Sequence, residues 1–110
     1  MSFNPPQSVQ NAAKRSLVMR KSVSPSRRGG TAVGIARARQ LAGGSSVSLD
    51  TIRRMVSFFA RHEVDKKATG FRRGEKGYPS KGKIAWELWG GDPGRRWAKS
   101  ILRREERKEK

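Results

Sequence analysis

Cysteine is absent from the 110 residues. That removes disulfides, cysteine-ligated zinc and iron–sulfur sites, and thiol catalysis together. There is one histidine, so a metal centre of the usual three or four nitrogen and sulfur ligands has no source. One histidine with no paired nucleophile or orienting partner is also not a catalytic mechanism. Acidic residues are few, 9 against 26 Lys and Arg. No stretch approaches the roughly 20 apolar residues of a membrane span. The opening MSFNPPQSVQ has neither a basic nor an apolar leader region, so no secretory signal is expected. The lack of cysteine fits an intracellular or virion-interior setting.

What is present is positive charge. The net charge is +17, and charged residues make up 32% of the chain against 34% hydrophobic. That balance points to a polyanionic partner. The excess is uneven. Residues 1–30 carry six basic side chains and no acid, and residues 65–83 carry seven against two. Both stretches are rich in Gly, Pro and Ser, which predicts flexible basic arms around a helical remainder.

Apolar residues recur at three-to-four spacing wherever they cluster, and no segment alternates with period two. The expected fold is therefore all-α: one small basic domain, a bundle of four to five short helices. Asn4-Pro5 reads as a helix start for residues 5–21, with Val9, Ala12, Ala13 and Leu17 on its stripe. Residues 22–30 follow as a basic linker. Residues 31–64 read as a helical hairpin. Thr31 caps its first helix, Gly43-Gly44 ends it, and Ser48 caps the second. Gly34 inside the first helix implies close packing against a neighbour, since glycine there costs roughly 1 kcal/mol against alanine. Residues 65–82 read as a long basic loop, and 83–107 as two further helices, the second beginning at Asp92-Pro93. The expected core is Ile35, Ala38, Leu41, Ile52, Met55, Val56, Phe59, Ile84, Leu88, Trp97 and Ile101. Phe58 and Val33 are expected on the surface, where they leave room for a homo-oligomer.

Four patterns bear on chemistry. Gly77 to Lys83 satisfies GxxxxGK, but Ile84 stands where a phosphate loop needs Ser or Thr, and nothing upstream reads as a strand. What survives is a helix start able to hold a phosphate of any kind. His62, Glu63 and Asp65 offer an imidazole beside two carboxylates. Capping and salt bridging to Arg61 or Lys66 explain them more simply. LAGGSSVSLDTIRRMV resembles a helix-turn-helix with two or three extra residues in the turn, which tilts the second helix away from accurate groove reading. Trp86, Trp89 and Trp97 flank a Gly-Gly-Asp-Pro corner and read as core, with base stacking the alternative. Phe71 and Tyr78, set among Arg72, Arg73, Lys76 and Lys81, are better stacking candidates.

The runs GGTAVGIARARQL, SLDTIRRMVSFFARHEVDKK and GKIAWELWGGDPGRRWA resemble a small basic module of tailed bacteriophages, cyanophages included. That module occurs alone or appended to head-morphogenesis proteins such as the maturation protease. The resemblance covers about residues 5–102. It implies a viral setting. It carries no protease motif and hence no protease activity.

The reading these observations give is a non-enzymatic nucleic-acid-binding protein. It would act mainly through phosphates, with little sequence choice and with DNA ahead of RNA as the ligand. The residues expected to meet phosphate are Lys14, Arg15, Arg27, Arg28, Arg37, Arg39, Arg53, Arg54, Lys66, Lys67, Arg72, Arg73, Lys81 and Lys83. No catalytic residue, metal or cofactor is expected. A membrane surface is not the expected partner, because the basic residues are dispersed rather than set opposite one wide apolar face. The rival reading is a virion structural or head-morphogenesis module whose basic surface meets an acidic viral protein.

Overall fold

Asn4-Pro5 does not open the first helix. A proline disfavours the α region for the residue before it, and Asn4 and Pro5, both followed by proline, lie outside the helix. Helix α1 runs Gln7–Lys21, preceded by Pro6 at φ −63°, ψ 162°. Pro5 is buried, and its carbonyl accepts from Gln10 Nε2 at 2.9 Å. The structure, a computed structural model, describes residues 1–109.

The extended start has a partner. Ser2–Phe3 (β1) pairs antiparallel with Val47–Ser48 (β2), with Ser2 opposite Ser48 and Phe3 opposite Val47. The ladder is too short for alternation to show in the sequence. It also accounts for the widened turn, whose extra residues form β2 and bury Val47 against the core.

Helix α2 spans Ala32–Ala42 and α3 spans Leu49–His62. Both begin as expected. Thr31 Oγ1 accepts from the Gly34 N–H, and Ser48 Oγ from the Thr51 N–H, each at 3.1 Å. Asp50 stands in the first turn of α3, at the positive end of its dipole. The two helices do not close on each other as a tight hairpin. Helix α2 packs on α1, while α3 packs on the last helix, α5 (Gly91–Lys108). The indole of Trp89 stands between them. A Cβ on Gly34 would lie 3.3 Å from Trp89 Nε1, and the Phe58 ring of α3 stacks on the same indole. Gly34 therefore admits a side chain rather than another backbone.

Helix α4 covers Lys81–Leu88, with Ser80 Oγ accepting from the Lys83 N–H at 3.0 Å. Gly90, at φ +106°, turns the chain into α5. Only glycine adopts that angle without strain. Asp92 is thus not the cap but the second residue of α5. Its Oδ1 accepts from Trp86 Nε1 at 3.0 Å and pairs with Lys66 Nζ at 2.9 Å.

Among the described residues there are five α-helices and one two-stranded ladder, so the fold is essentially all-α. Ala38, Leu41, Ile52, Met55, Phe59, Ile84, Leu88 and Ile101 are buried as expected. Ile35, Val56 and Trp97 are only partly covered. Phe58 corrects the expectation of an exposed ring: it is 6% exposed, because Trp89 covers one face and His62 stacks on it as well.

The two basic stretches are tied down more than their composition implies. Arg28 Nε donates to Val23 O and Arg20 Nε to Gly29 O, both at 3.1 Å. Arg27 Nη2 reaches Gly77 O at 2.9 Å and joins the two stretches. Within 65–82, Phe71 is buried edge-on to Trp86, and the Ser80 N–H donates to Gly70 O at 2.9 Å.

Candidate nucleic-acid interface

Arg54, Ser57, Phe58, Arg61 and His62 recur three and four apart and so share one stripe of α3. That stripe, flanked by Arg53, forms the floor of a groove of about 850 Å³. Gly30, Thr31 and Val33 from the start of α2 make one wall. Lys81, Gly82 and Ala85 from the start of α4 make the other, with Trp89 and Asp65 completing the lining. The walls stand close because glycine occupies the contact. A Cβ on Gly29 would collide with the Lys81 carbonyl, and one on Gly82 would lie 2.8 Å from Asp65 Cβ.

The groove is cationic and aromatic at once. Its charges are Arg53, Arg54, Arg61 and Lys81. Arg54 Nε pairs with Asp50 at 3.0 Å and Arg53 Nη2 with Glu109 at 3.7 Å, but all four side chains are more than half exposed. Exposed pairs of this kind contribute about 0–1 kcal/mol, so they hold the guanidinium groups only weakly. Asp65 is the carboxylate on the wall, and His62 Nδ1 lies 3.0 Å from its Oδ2. The aromatic part is a column. Trp89 and Phe58 stack with centroids 4.7 Å apart at 12°, and Phe58 and His62 at 4.4 Å and 26°.

Of the residues expected to meet phosphate, the groove brings together Arg53, Arg54 and Lys81. A second hollow, of about 390 Å³, gathers Arg15, Arg72, Arg73 and Lys83 around Phe71 and Tyr78, with Met19 and Glu87. Lys14 stands beside Arg15 on α1, and Arg39 and Lys67 are exposed elsewhere. Four residues have structural occupations instead. Arg27 and Arg28 hold loop carbonyls. Lys66 pairs with Asp92 and stands 4.6 Å over the Trp86 ring. Arg37 lies 5.4 Å from the Trp89 ring centre and donates from Nη1 to Gln40. Burial lowers the Arg37 pKa, the Arg54 charge lowers it further, and Asp50 partly offsets both. Lys83 belongs to both groups: it pairs with Glu87 at 3.5 Å and covers Phe71 at 4.9 Å.

Arg61 and Phe58 did not emerge from the sequence as site residues, and the sequence offers His62 only beside its carboxylates. The step of seven from Arg54 to Arg61 could have found Arg61, and the step of four from Arg54 to Phe58 to His62 the other two. Trp86 and Phe71 are buried and offer no platform for a base.

No group of three or more His, Asp or Glu among the described residues could hold a metal ion, and no helix there is long and apolar enough to cross a membrane. Comparisons with protein-family models, with curated proteins and with solved structures each find no match. The chain is thus characterised by its own chemistry: a strongly basic five-helix domain with a cationic, aromatic-floored groove.

Proposed function

We propose that this protein is a non-enzymatic nucleic-acid-binding domain, and that the groove on α3 is its principal contact. One observation carries the reading. The fold sets Arg53, Arg54, Arg61 and Lys81 around a single concavity, while most of the carboxylates are engaged in ion pairs. Guanidinium and ammonium groups in a groove meet phosphates and release their counterions, which gives affinity without much dependence on sequence. DNA is the expected ligand ahead of RNA, and the resemblance to phage head modules makes a viral genome the natural one.

Binding measured against salt tests the proposal. With about five to eight phosphates neutralised on a duplex, log affinity falls against log salt with a slope of roughly −4.5 to −7. Unrelated sequences should bind about equally. The competing reading, a head-morphogenesis module for an acidic viral protein, draws on the half-exposed Val33 and on Ala85 in the groove walls. Nuclease-treated protein that ignores nucleic acid at low salt but binds such a protein tightly would favour it.

A further inference from the structure

The floor of the groove is not uniformly charged. Trp89, Phe58 and His62 form three stacked rings. The inner two are closed off, at 9% and 6% exposed, but the His62 side chain is 41% exposed and lines the groove. The column follows α3, because Phe58 and His62 are four residues apart and lie one above the other. It is thus a ring stack with an imidazole at its open end.

Charge surrounds that end. Arg61 is the neighbour of His62 in the chain, Arg54 lies two turns back on the same stripe, and Lys81 faces them from the start of α4. His62 is itself held: Asp65 Oδ2 lies 3.0 Å from Nδ1, and Asp65 is packed against Gly82. A ring fixed in orientation loses little freedom when another ring lies on it. The groove volume of about 850 Å³ falls in the range of small-ligand sites, roughly 300–1,000 Å³.

We infer that the groove takes an unpaired nucleotide of a single strand, its base stacked on His62 as the next ring of the column and its phosphates held by Arg54, Arg61 and Lys81. This rests on the nucleic-acid reading above and goes further. A paired base inside a duplex has both faces covered, so it has none to offer His62. A base in a single strand does, and base–aromatic stacking tolerates any sequence because every base has a π-face. One feature favours a strand over a free nucleotide: Arg54 and Arg61 both line the groove and are seven residues apart on α3, about 10 Å along the helix axis, which is farther than one phosphate spans.

The test compares three labelled probes of equal phosphate number at one salt concentration. These are an oligothymidylate of about 12 nucleotides, the same strand with abasic sites throughout, and a duplex. The base-bearing strand should bind about tenfold more tightly than the abasic strand. His62→Ala should remove that difference, and His62→Phe should restore it. Equal affinity for abasic and base-bearing strands, or duplex binding as tight as the single strand, would overturn the inference and leave the broader proposal standing. Displacement of the strand by thymidine monophosphate at matched nucleotide concentration, or by polyglutamate at matched charge, would overturn it in favour of a free nucleotide or an acidic protein. No binding to any probe at low salt would overturn both readings.

Discussion

Gly82 presents only a hydrogen to Asp65: an added Cβ would stand 2.8 Å from Asp65 Cβ and 2.9 Å from Cγ. Neither atom is the free end of a long side chain, so Asp65 has to move as a whole. Gly82→Ala should therefore displace Asp65 and loosen His62, at about 1–3 kcal/mol of stability. The check is a thermal melt together with the imidazole proton resonances. An unchanged melt and an unchanged His62 signal would mean that the start of α4 yields freely.

Phe59 is 1% exposed and meets Trp86 edge-on at 4.7 Å. Phe59→Ala should cost about 3–5 kcal/mol, as large core deletions do. Trp97→Ala should cost less, since its ring is only partly covered. Denaturant titrations of the two variants should separate clearly from each other.

Binding and stability should part company among the lysines. Lys66 pairs with Asp92 and lies over Trp86, so Lys66→Ala should lower the melting temperature and leave affinity nearly unchanged. Lys81 is exposed on the groove wall, so Lys81→Ala should weaken binding and flatten the salt slope by about one unit while the melt stays the same. The reverse pattern would move the interface away from α4. Arg54→Ala should behave like Lys81→Ala on unrelated sequences.

Burial, the largest influence on the Asp92 carboxyl, opposes its ionisation. The hydrogen bonds from Lys66 and Trp86 and the charges of Lys66 and Lys83 outweigh it and hold the pKa below the ordinary carboxylate value. The unfolded chain then binds the proton more readily than the folded one. The contribution of Asp92 is present above the ordinary pKa of about 3.9 and disappears as pH falls toward the folded value. Asp92→Asn should flatten the acid limb of the stability profile, visible in melts between about pH 5 and pH 3.

Helix starts read directly from the sequence where a hydroxyl cap stands out, as at Thr31 and Ser48, whereas the cap at Ser80 lies inside what reads as loop. Asn4 misled because the prolines that follow keep it out of the helix, and Asp92 because Gly90 has already turned the chain into α5, leaving its carboxylate to Trp86 six residues back and to Lys66 in a distant segment. Trp89 was legible as core but not as the wedge that separates α2 from α3. The groove exists only through that wedge and through the approach of Gly29 to Lys81. Contacts between distant segments leave no local period to find. Arg27 and Arg28 illustrate the same limit, since their carbonyl partners are set by loop closure rather than by spacing.

Helix α1 has a consequence for how the chain reaches this arrangement. It packs on α2 but also on α4 and α5, and a Cβ on Gly90 would stand 3.2 Å from Val9 Cγ1. Helix α3 meanwhile takes α5 as its main partner. The pairings interleave, so no early fragment is complete. As the chain leaves a ribosome, α1 and α2 meet first, and most of the apolar stripe of α1 then waits for segments still unmade. The domain should assemble in one late concerted step, with nonlocal closure setting its rate, rather than hairpin by hairpin.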